Sequence, residues 1–215
     1  MAWQRARNPE QKEQRRTEIL DATARLFEAQ GLEGVSLNGI AAEAGISKAN
    51  IYRYFASREE IFLHLLLDYY HQWVVTLERA LAPLAGSGDV ETVAQAMTAA
   101  YTAHPRFASL VAVTASVLEK NVTADAVVWF KTQMLAVAIR VANATHAALP
   151  ALDMEHTQRF IMYAHLLMAA MWPAAHPPPA VQEALERPEL DYACVDFERD
   201  AVGAVTTLLR GLLSE

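Results

Sequence analysis

Residues 47–55 form a short amphipathic segment whose polar side can contact a nucleic acid. Ile51 and Phe55 are four positions apart, and at about 100° per residue they fix the buried side of a helix. The side chains left on the exposed side or at the helix start are Lys48, Ala49, Asn50, Tyr52 and Arg53. In the major groove arginine pairs with guanine, asparagine with adenine, and alanine with a thymine methyl, while lysine and tyrosine bind phosphate. The segment therefore has the side chains that DNA recognition requires.

A second short helix must precede this segment and position it. Ser36 can cap a helix that runs to Ala44, and Gly45 ends it because a left-handed backbone costs little only for glycine. Ala41 is small where two helices must cross closely, and Ser47 can cap the third helix. A polar helix face is also common on small domains that bind nothing, but the caps, the small residue and the turn glycine together favour a helix-turn-helix.

Helical periodicity dominates the rest of the chain, and no alternating run predicts a strand. The sequence predicts an all-α fold of about nine helices, with one more helical turn around Val181–Leu185 in a proline-rich connection. The predicted spans are Pro9 or Thr17 to Gln30, Ser36 to Ala44, Ser47 to Phe55, Ser57 to about Pro83, 89–103, 105–118, Thr123 to Leu149, 152–172 and 197–213. Asn8 would cap the first helix and Gly31 would stop it. The helix from Thr123 is apolar around most of its circumference, which predicts an interior helix.

Composition and charge restrict the class of protein. The 215 residues are 53% apolar and 20% charged, which excludes disorder. The net charge of −7 lies in residues 61–215, whereas residues 1–16 have a basic excess that includes Arg5 and Arg7. One cysteine, Cys194, allows no internal disulfide, and the chain shows neither a membrane-spanning run nor a signal peptide. We therefore expect a cytoplasmic protein without membrane contact, whose amino-terminal end approaches a polyanion.

Four stretches resemble the N-terminal domain of TetR-type transcriptional repressors. They are RTEILDATARLF (16–27), GLEGVSL (31–37), IAAEAGIS (40–47) and IYRYFASREEI (51–61). The resemblance covers about residues 16–65 and implies a homodimer, a palindromic operator in double-stranded DNA and a C-terminal domain that binds a small effector. It divides the chain into a helix-turn-helix domain, 1–62, and a helical ligand-binding and dimerisation domain, 63–215.

The resemblance also implies which side chains contact DNA. By position these residues are Asn38, Lys48, Asn50, Tyr52, Tyr54 and Arg58. The helical wheel adds Arg53. Gly39 departs from the family pattern, because that position is usually polar, and a contact there is not expected.

Two late helices have the pattern of a dimer interface. Gly203, Thr207 and Gly211 recur every four residues and leave a shallow groove in which another helix can approach closely. Together with an apolar stripe on 152–172 they predict a four-helix interface between two subunits. Its predicted residues are Phe160, Tyr163, Leu167, Ala170, Gly203, Thr207, Leu208 and Gly211. The alternative is that these stripes pack only within one chain.

Large or adaptable side chains on the central helices predict an effector pocket. They are Tyr101, Phe107, Trp129, Phe130, Met134, Met162, His165, Met168 and Trp172. Aromatic, methionine-rich surfaces suit apolar or aromatic ligands, although any single one of these residues can equally belong to the core.

No motif predicts catalysis or a cofactor. His64, Asp68 and His71 share one helix face, but a fourth metal ligand is missing, so no metal is expected. Nucleophile elbows, phosphate loops and zinc-protease motifs are absent from the sequence, and Cys194 lies in an acidic connection that disfavours a thiolate. The sequence therefore predicts a non-enzymatic, homodimeric DNA-binding regulator, a repressor released by a small, largely apolar effector. Two alternatives are a regulator without an effector, either repressor or activator, and a helical ligand-binding protein or enzyme with a structural N-terminal motif.

Overall fold

The computed structural model describes residues 9–215, which form ten α-helices and no β-strand. The helices are α1 (Pro9–Gly34), α2 (Leu37–Glu43), α3 (Lys48–Ile51), α4 (Arg58–Leu81), α5 (Val90–Thr102), α6 (Pro105–Val113), α7 (Ala124–Ala148), α8 (Met154–Ala175), α9 (Pro179–Leu185) and α10 (Phe197–Leu213). A π-helical segment, Thr114–Leu118, follows α6, and short 3₁₀ turns occupy Ala82–Leu84 and Pro188–Ala193. The predicted all-α fold is confirmed. The expected cap Asn8 and the basic side chains Arg5 and Arg7 lie outside the described residues.

Local signals set several helix ends as predicted. Gly31 and Gly45 have φ values of 69° and 63°, which only glycine adopts without strain, and α1 kinks at Gly31 before it ends at Gly34. The Ser57 hydroxyl accepts from the Glu60 amide at 3.0 Å at the start of α4. The Glu60 carboxylate reaches back to the amide of Ala56, one residue earlier than an ideal capping box, at 2.6 Å.

Other boundaries differ from the predicted ones. Helix α3 ends at Ile51 rather than near Phe55, and the Ser47 side chain makes no capping hydrogen bond. Helix α8 continues to Ala175 because a proline in the last turn, Pro173, removes only one amide near the helix end. Helix α9 is longer than the helical turn predicted around Val181–Leu185, since Pro179 starts it at the first helical position.

The chain forms two compact units, and one of them collects two separate stretches of sequence. Unit 1 holds residues 9–68 and 114–131, and unit 2 holds 69–113 and 132–215. Helices α4 and α7 each contribute residues to both units. Among the described residues, no helix combines the length and the apolar character that crossing a bilayer demands.

Helix α7 is not the interior helix that its composition predicts. Val128, Leu135 and Ile139 are 65%, 62% and 52% exposed, while Val137 and Val141 are buried. The prediction was wrong because apolar composition alone does not show that a helix is buried: apolar side chains also occur on protein surfaces, above all where a partner can cover them.

Candidate nucleic-acid interface and ligand cavity

The short helix α3 is held by a small apolar core in unit 1. Ile19 of α1, Ile40 of α2, Ile51 at the end of α3 and Phe55 after it have at most 1% of their surface exposed. Helix α1 packs against α2, and α2 packs against α3. Four residues of α3 could not form a stable helix alone, so this tertiary packing fixes its position.

The predicted DNA-contacting residues lie on or beside α2, α3 and the start of α4. Asn38, Lys48 and Arg53 are exposed, and Tyr52 is 52% exposed. Asn50, Tyr54 and Arg58 are half-buried. Gly39 donates its backbone N–H to the Ser36 hydroxyl, 3.1 Å away, and this hydrogen bond caps α2. The exposed members therefore present two cations and a phenol beside a rigid core.

Arg58 has partners within its own chain. Its Nη1 donates to the carbonyl of Val35 at 2.9 Å, and its Nε donates to the buried carboxylate of Glu59 at 3.1 Å. Arg58 thus joins the start of α4 to the connection between α1 and α2. Sequence reasoning missed this positioning role, because a carbonyl acceptor in a loop leaves no signature in residue types.

A second arginine, Arg16, holds the end of residues 47–55, which we call the recognition segment. Its Nη1 donates to the Tyr54 carbonyl at 3.1 Å, and its guanidinium lies 4.6 Å from the centre of the Phe55 ring. Its Nη2 lies 2.9 Å from Nε2 of His64, whose ring stacks on Trp129 at 3.7 Å. Trp129 therefore belongs to unit 1, where it packs against the imidazole that contacts Arg16.

The environment of His64 keeps its imidazole neutral. Burial first, and then the positive charge of Arg16, lower the pKa of His64 from 6.5 to about 4. A neutral ring can accept the hydrogen bond from Arg16, whereas a protonated ring would repel the guanidinium. The described residues contain no group of three His, Cys, Asp or Glu side chains that could bind a metal, so His64, Asp68 and His71 form no such site there.

We expect the free energy of unfolding to decrease as the pH is lowered, because of His64. Its pKa is lower in the folded chain than in the unfolded chain, so the stabilisation is complete above about pH 6.5 and declines as the pH falls toward 4. Between pH 7 and 5 the wild type should lose about 1 kcal/mol more unfolding free energy than His64→Gln, an effect reduced by the solvent that reaches the ring. Urea titrations at several pH values measure this difference. His71→Gln removes an exposed imidazole as a control, and equal pH slopes for wild type and His64→Gln would refute the assignment.

Unit 2 contains a partly open, apolar cavity of about 80 Å³. Five predicted pocket residues line it: Tyr101, Phe107, Met134, His165 and Met168. The lining residues that sequence reasoning missed are Tyr70, Trp73, Met97, Val137, Ala138, Val141, Ile161 and Ala164. Tyr70 and Trp73 are spaced i, i+3 on α4, which was the available signal for an aromatic face.

Four predicted pocket residues do not line this cavity. Trp129 and the buried Phe130 belong to unit 1. Met162 is 53% exposed and lines a groove between α7 and α8. Trp172 is buried beside the cavity residues, donates its indole N–H to Ser109 Oγ at 3.2 Å and packs edge-on against Phe197.

The predicted interface helices leave one face of unit 2 open. Space surrounds Gly203 and Gly211, and Thr207 and Ala170 are exposed. Tyr163 is 42% exposed, and Leu167 and Leu208 are half-buried. Phe160 is a correction to the predicted interface, because it has no exposed surface in a helix that packs against both α6 and α10.

A second apolar surface adjoins this face. Leu135 and Ile139 of α7 and Met162 and Leu166 of α8 are 52–62% exposed. Three of them, Leu135, Ile139 and Met162, line a groove of about 480 Å³. A contiguous patch of large, exposed apolar side chains is typical of a surface that a partner covers.

Helices α1 to α3, packed on a small apolar core, with exposed basic and aromatic side chains on and just after the short third helix, have the arrangement of a helix-turn-helix. A family model described as "Bacterial regulatory proteins, tetR family" matches residues 19–65, and one described as "Tetracyclin repressor-like, C-terminal domain" matches residues 67–215. The chain belongs to the TetR family, whose members are DNA-binding transcriptional regulators rather than enzymes.

Individual relatives agree with this assignment. The transcriptional repressor KstR2 of Mycolicibacterium smegmatis is 31% identical over 80 residues, which cover 35% of this chain and 39% of that protein. The chain spans about 28% and 39% of the lengths of the curated relatives that it matches. A possible TetR-family regulator from Streptomyces coelicolor A3(2) has a TM-score of 0.61 at 18% identity, covering 93% of this chain and 98% of the other. FadR from Bacillus subtilis, solved in complex with stearoyl-CoA, has a TM-score of 0.54 at 16% identity over 92% and 97% of the two chains.

Proposed function

We propose that the protein is a homodimeric repressor of the bacterial cytoplasm that binds a palindromic operator and leaves it when a small, largely apolar effector binds. Residues 1–62 supply the DNA contacts, and residues 63–215 supply the dimer interface and the effector site. The exposed set on and beside α3 carries this proposal, since Arg53 and Lys48 offer the cations that bases and phosphates require.

Each proposed DNA contact has a separate role. Arg53 and Asn50 contact base edges, while Lys48, Tyr52 and Asn38 contact phosphate. Tyr54 acts through its backbone: its carbonyl accepts a hydrogen bond from Arg16, which holds the end of the recognition segment in place. Arg58 contributes through the loop that it holds, with its remaining N–H groups available to a phosphate.

Dimerisation brings two such units to one operator. The open face of α8 and α10, without Phe160, is the proposed interface, and the groove of α7 and α8 continues it. Two recognition segments about 34–36 Å apart would then reach successive major grooves on one side of the duplex.

Effector binding would act on that spacing. Helices α4 and α7 line the cavity of unit 2 with Tyr70, Trp73, Met134 and Val137, and both helices also contribute residues to unit 1. A ligand that favours a different placement of either helix would favour the state that does not bind the operator, typically by about 1–3 kcal/mol. The name of KstR2 as a repressor supports a repressor role, and the stearoyl chain of the ligand in the FadR complex supports an effector that is largely apolar where it enters the helical domain.

Selection of genomic fragments by the purified protein tests the proposal. We expect enrichment of one palindromic sequence, whose affinity falls steeply with salt because phosphate contacts release counterions. Extracts or small molecules that release this fragment would establish the effector. A helical protein whose N-terminal motif is only structural would enrich no sequence, and that result would overturn the proposal.

A further inference from the structure

We infer that the cavity of unit 2 takes an uncharged, mainly hydrocarbon ligand of about the size of a substituted ring, which carries a hydrogen-bond acceptor such as a ketone or ester oxygen. The inference rests on the proposed function only in taking this cavity as the effector site. It specifies the chemistry of the ligand from the atoms that surround the space.

The lining of the cavity disfavours a charged group. Its thirteen residues include aromatic, aliphatic and methionine side chains and one histidine, but no Asp, Glu, Lys or Arg. A carboxylate, phosphate or amine placed there would lose water without meeting an Asp, Glu, Lys or Arg side chain, which disfavours its binding. An acid or a coenzyme A headgroup therefore does not fit this space, whereas a neutral molecule does.

Two buried polar atoms of the lining lack a partner. Tyr101 is 2% exposed, and neither its hydroxyl nor Nε1 of Trp73 has a hydrogen-bond partner within residues 9–215. Burial raises the pKa of Tyr101 well above its usual value, so the phenol keeps its proton, and an indole N–H can only donate. Buried donors without acceptors are rare in folded proteins and disfavour the ligand-free state.

Both donors belong to one aromatic cluster. The ring of Phe107 stacks on Trp73 at 4.9 Å and meets the edge of Tyr101 at 5.4 Å. A carbonyl oxygen has two lone pairs and can accept from one or both donors. The cavity of about 80 Å³ is several times the roughly 10–15 Å³ that a water requires by the same measure, so it admits a small ring.

Three matched probes test the inference on the full chain: acetophenone, ethylbenzene and benzoate. They share the ring and differ in having a neutral acceptor, no acceptor, or a negative charge. We expect calorimetry to give acetophenone about tenfold tighter binding than ethylbenzene and no detectable binding of benzoate. Tyr101→Phe should weaken acetophenone about fivefold and leave ethylbenzene unchanged, since it removes only the hydroxyl.

Thr98→Val is the matched control, because Thr98 also has a buried, unpartnered hydroxyl on α5 but does not line the cavity. It should leave all three affinities unchanged. Tyr101→Phe without ligand should unfold at the same or a higher temperature, whereas a hydroxyl with only a structural role would make it less stable.

The outcomes separate the inference from the proposed function. Equal binding of acetophenone and ethylbenzene, binding of benzoate, or binding of none of the three would overturn the inference. Acetophenone that binds as expected but fails to release the selected operator would support the inference and contradict the proposed effector role of the cavity.

Discussion

Arg53→Ala is expected to weaken binding to the selected operator about 10- to 100-fold and to leave binding to scrambled DNA nearly unchanged. Arg53 is exposed beside α3, on a segment whose core residues Ile51 and Phe55 are buried, so its removal should not disturb the fold. A bidentate arginine–guanine pair contributes about 1–3 kcal/mol of discrimination between bases. Fluorescence anisotropy with matched and scrambled duplexes measures both affinities.

Two further variants show whether the effect of Arg53→Ala is specific to base recognition. Tyr52→Phe should weaken matched and scrambled duplexes alike by severalfold, because a phosphate contact carries no sequence information. Arg79→Ala removes an exposed positive charge from α4 in unit 2 and should change neither affinity. Equal losses for Arg53→Ala on both duplexes would show that Arg53 contacts phosphate and does not specify a base.

Thr207→Arg is expected to produce a folded monomer that binds the operator about 10²- to 10⁴-fold more weakly. Thr207 is exposed between Gly203 and Gly211, on the open face of α10, so a long cation there would meet the same face of a second subunit. Within its own chain the side chain faces solvent, and the monomer should keep its helicity. The loss of operator affinity follows because a second half-site is then no longer bound at high effective concentration.

Sedimentation velocity measures the subunit state, and circular dichroism measures the helicity. Gln95→Arg places the same cation on an exposed position of α5 and should leave the dimer intact. A Thr207→Arg protein that remains dimeric would place the interface elsewhere, with the α7–α8 groove around Leu135 and Met162 as the remaining apolar surface.

The helix-turn-helix was predictable because its signals are local. Ser36, Gly45 and Ser57 each determine a helix end through backbone geometry or a hydrogen bond within four residues, and the structure has those ends. The same reasoning predicted a longer α3, because periodicity continues through Tyr52 and Phe55 while the backbone leaves the helix after Ile51.

The remaining differences arise from contacts between distant parts of the chain. Trp129 was assigned to a pocket by its size and hydrophobicity, but its neighbour is His64, sixty-five positions earlier in the sequence. The exposed side of α7 was assigned to the interior for a related reason, since hydrophobicity does not distinguish a core from an interface. Of the cavity, Tyr101, Phe107, Met134, His165 and Met168 were recognised, whereas Met97 and the contribution of α4 were not.

Because residues 114–131 belong to unit 1 together with the N-terminal residues, they affect how chimeras of this regulator with other family members should be designed. A chimera that joins residues up to Asp68 to a foreign C-terminal half would carry His64 without the indole of Trp129 that stacks on it. The imidazole would then be open to water, and Arg16 would lose the rigid acceptor that complements its bond to the Tyr54 carbonyl. A functional graft should therefore transplant both stretches together, as an interrupted module rather than a simple N-terminal cassette.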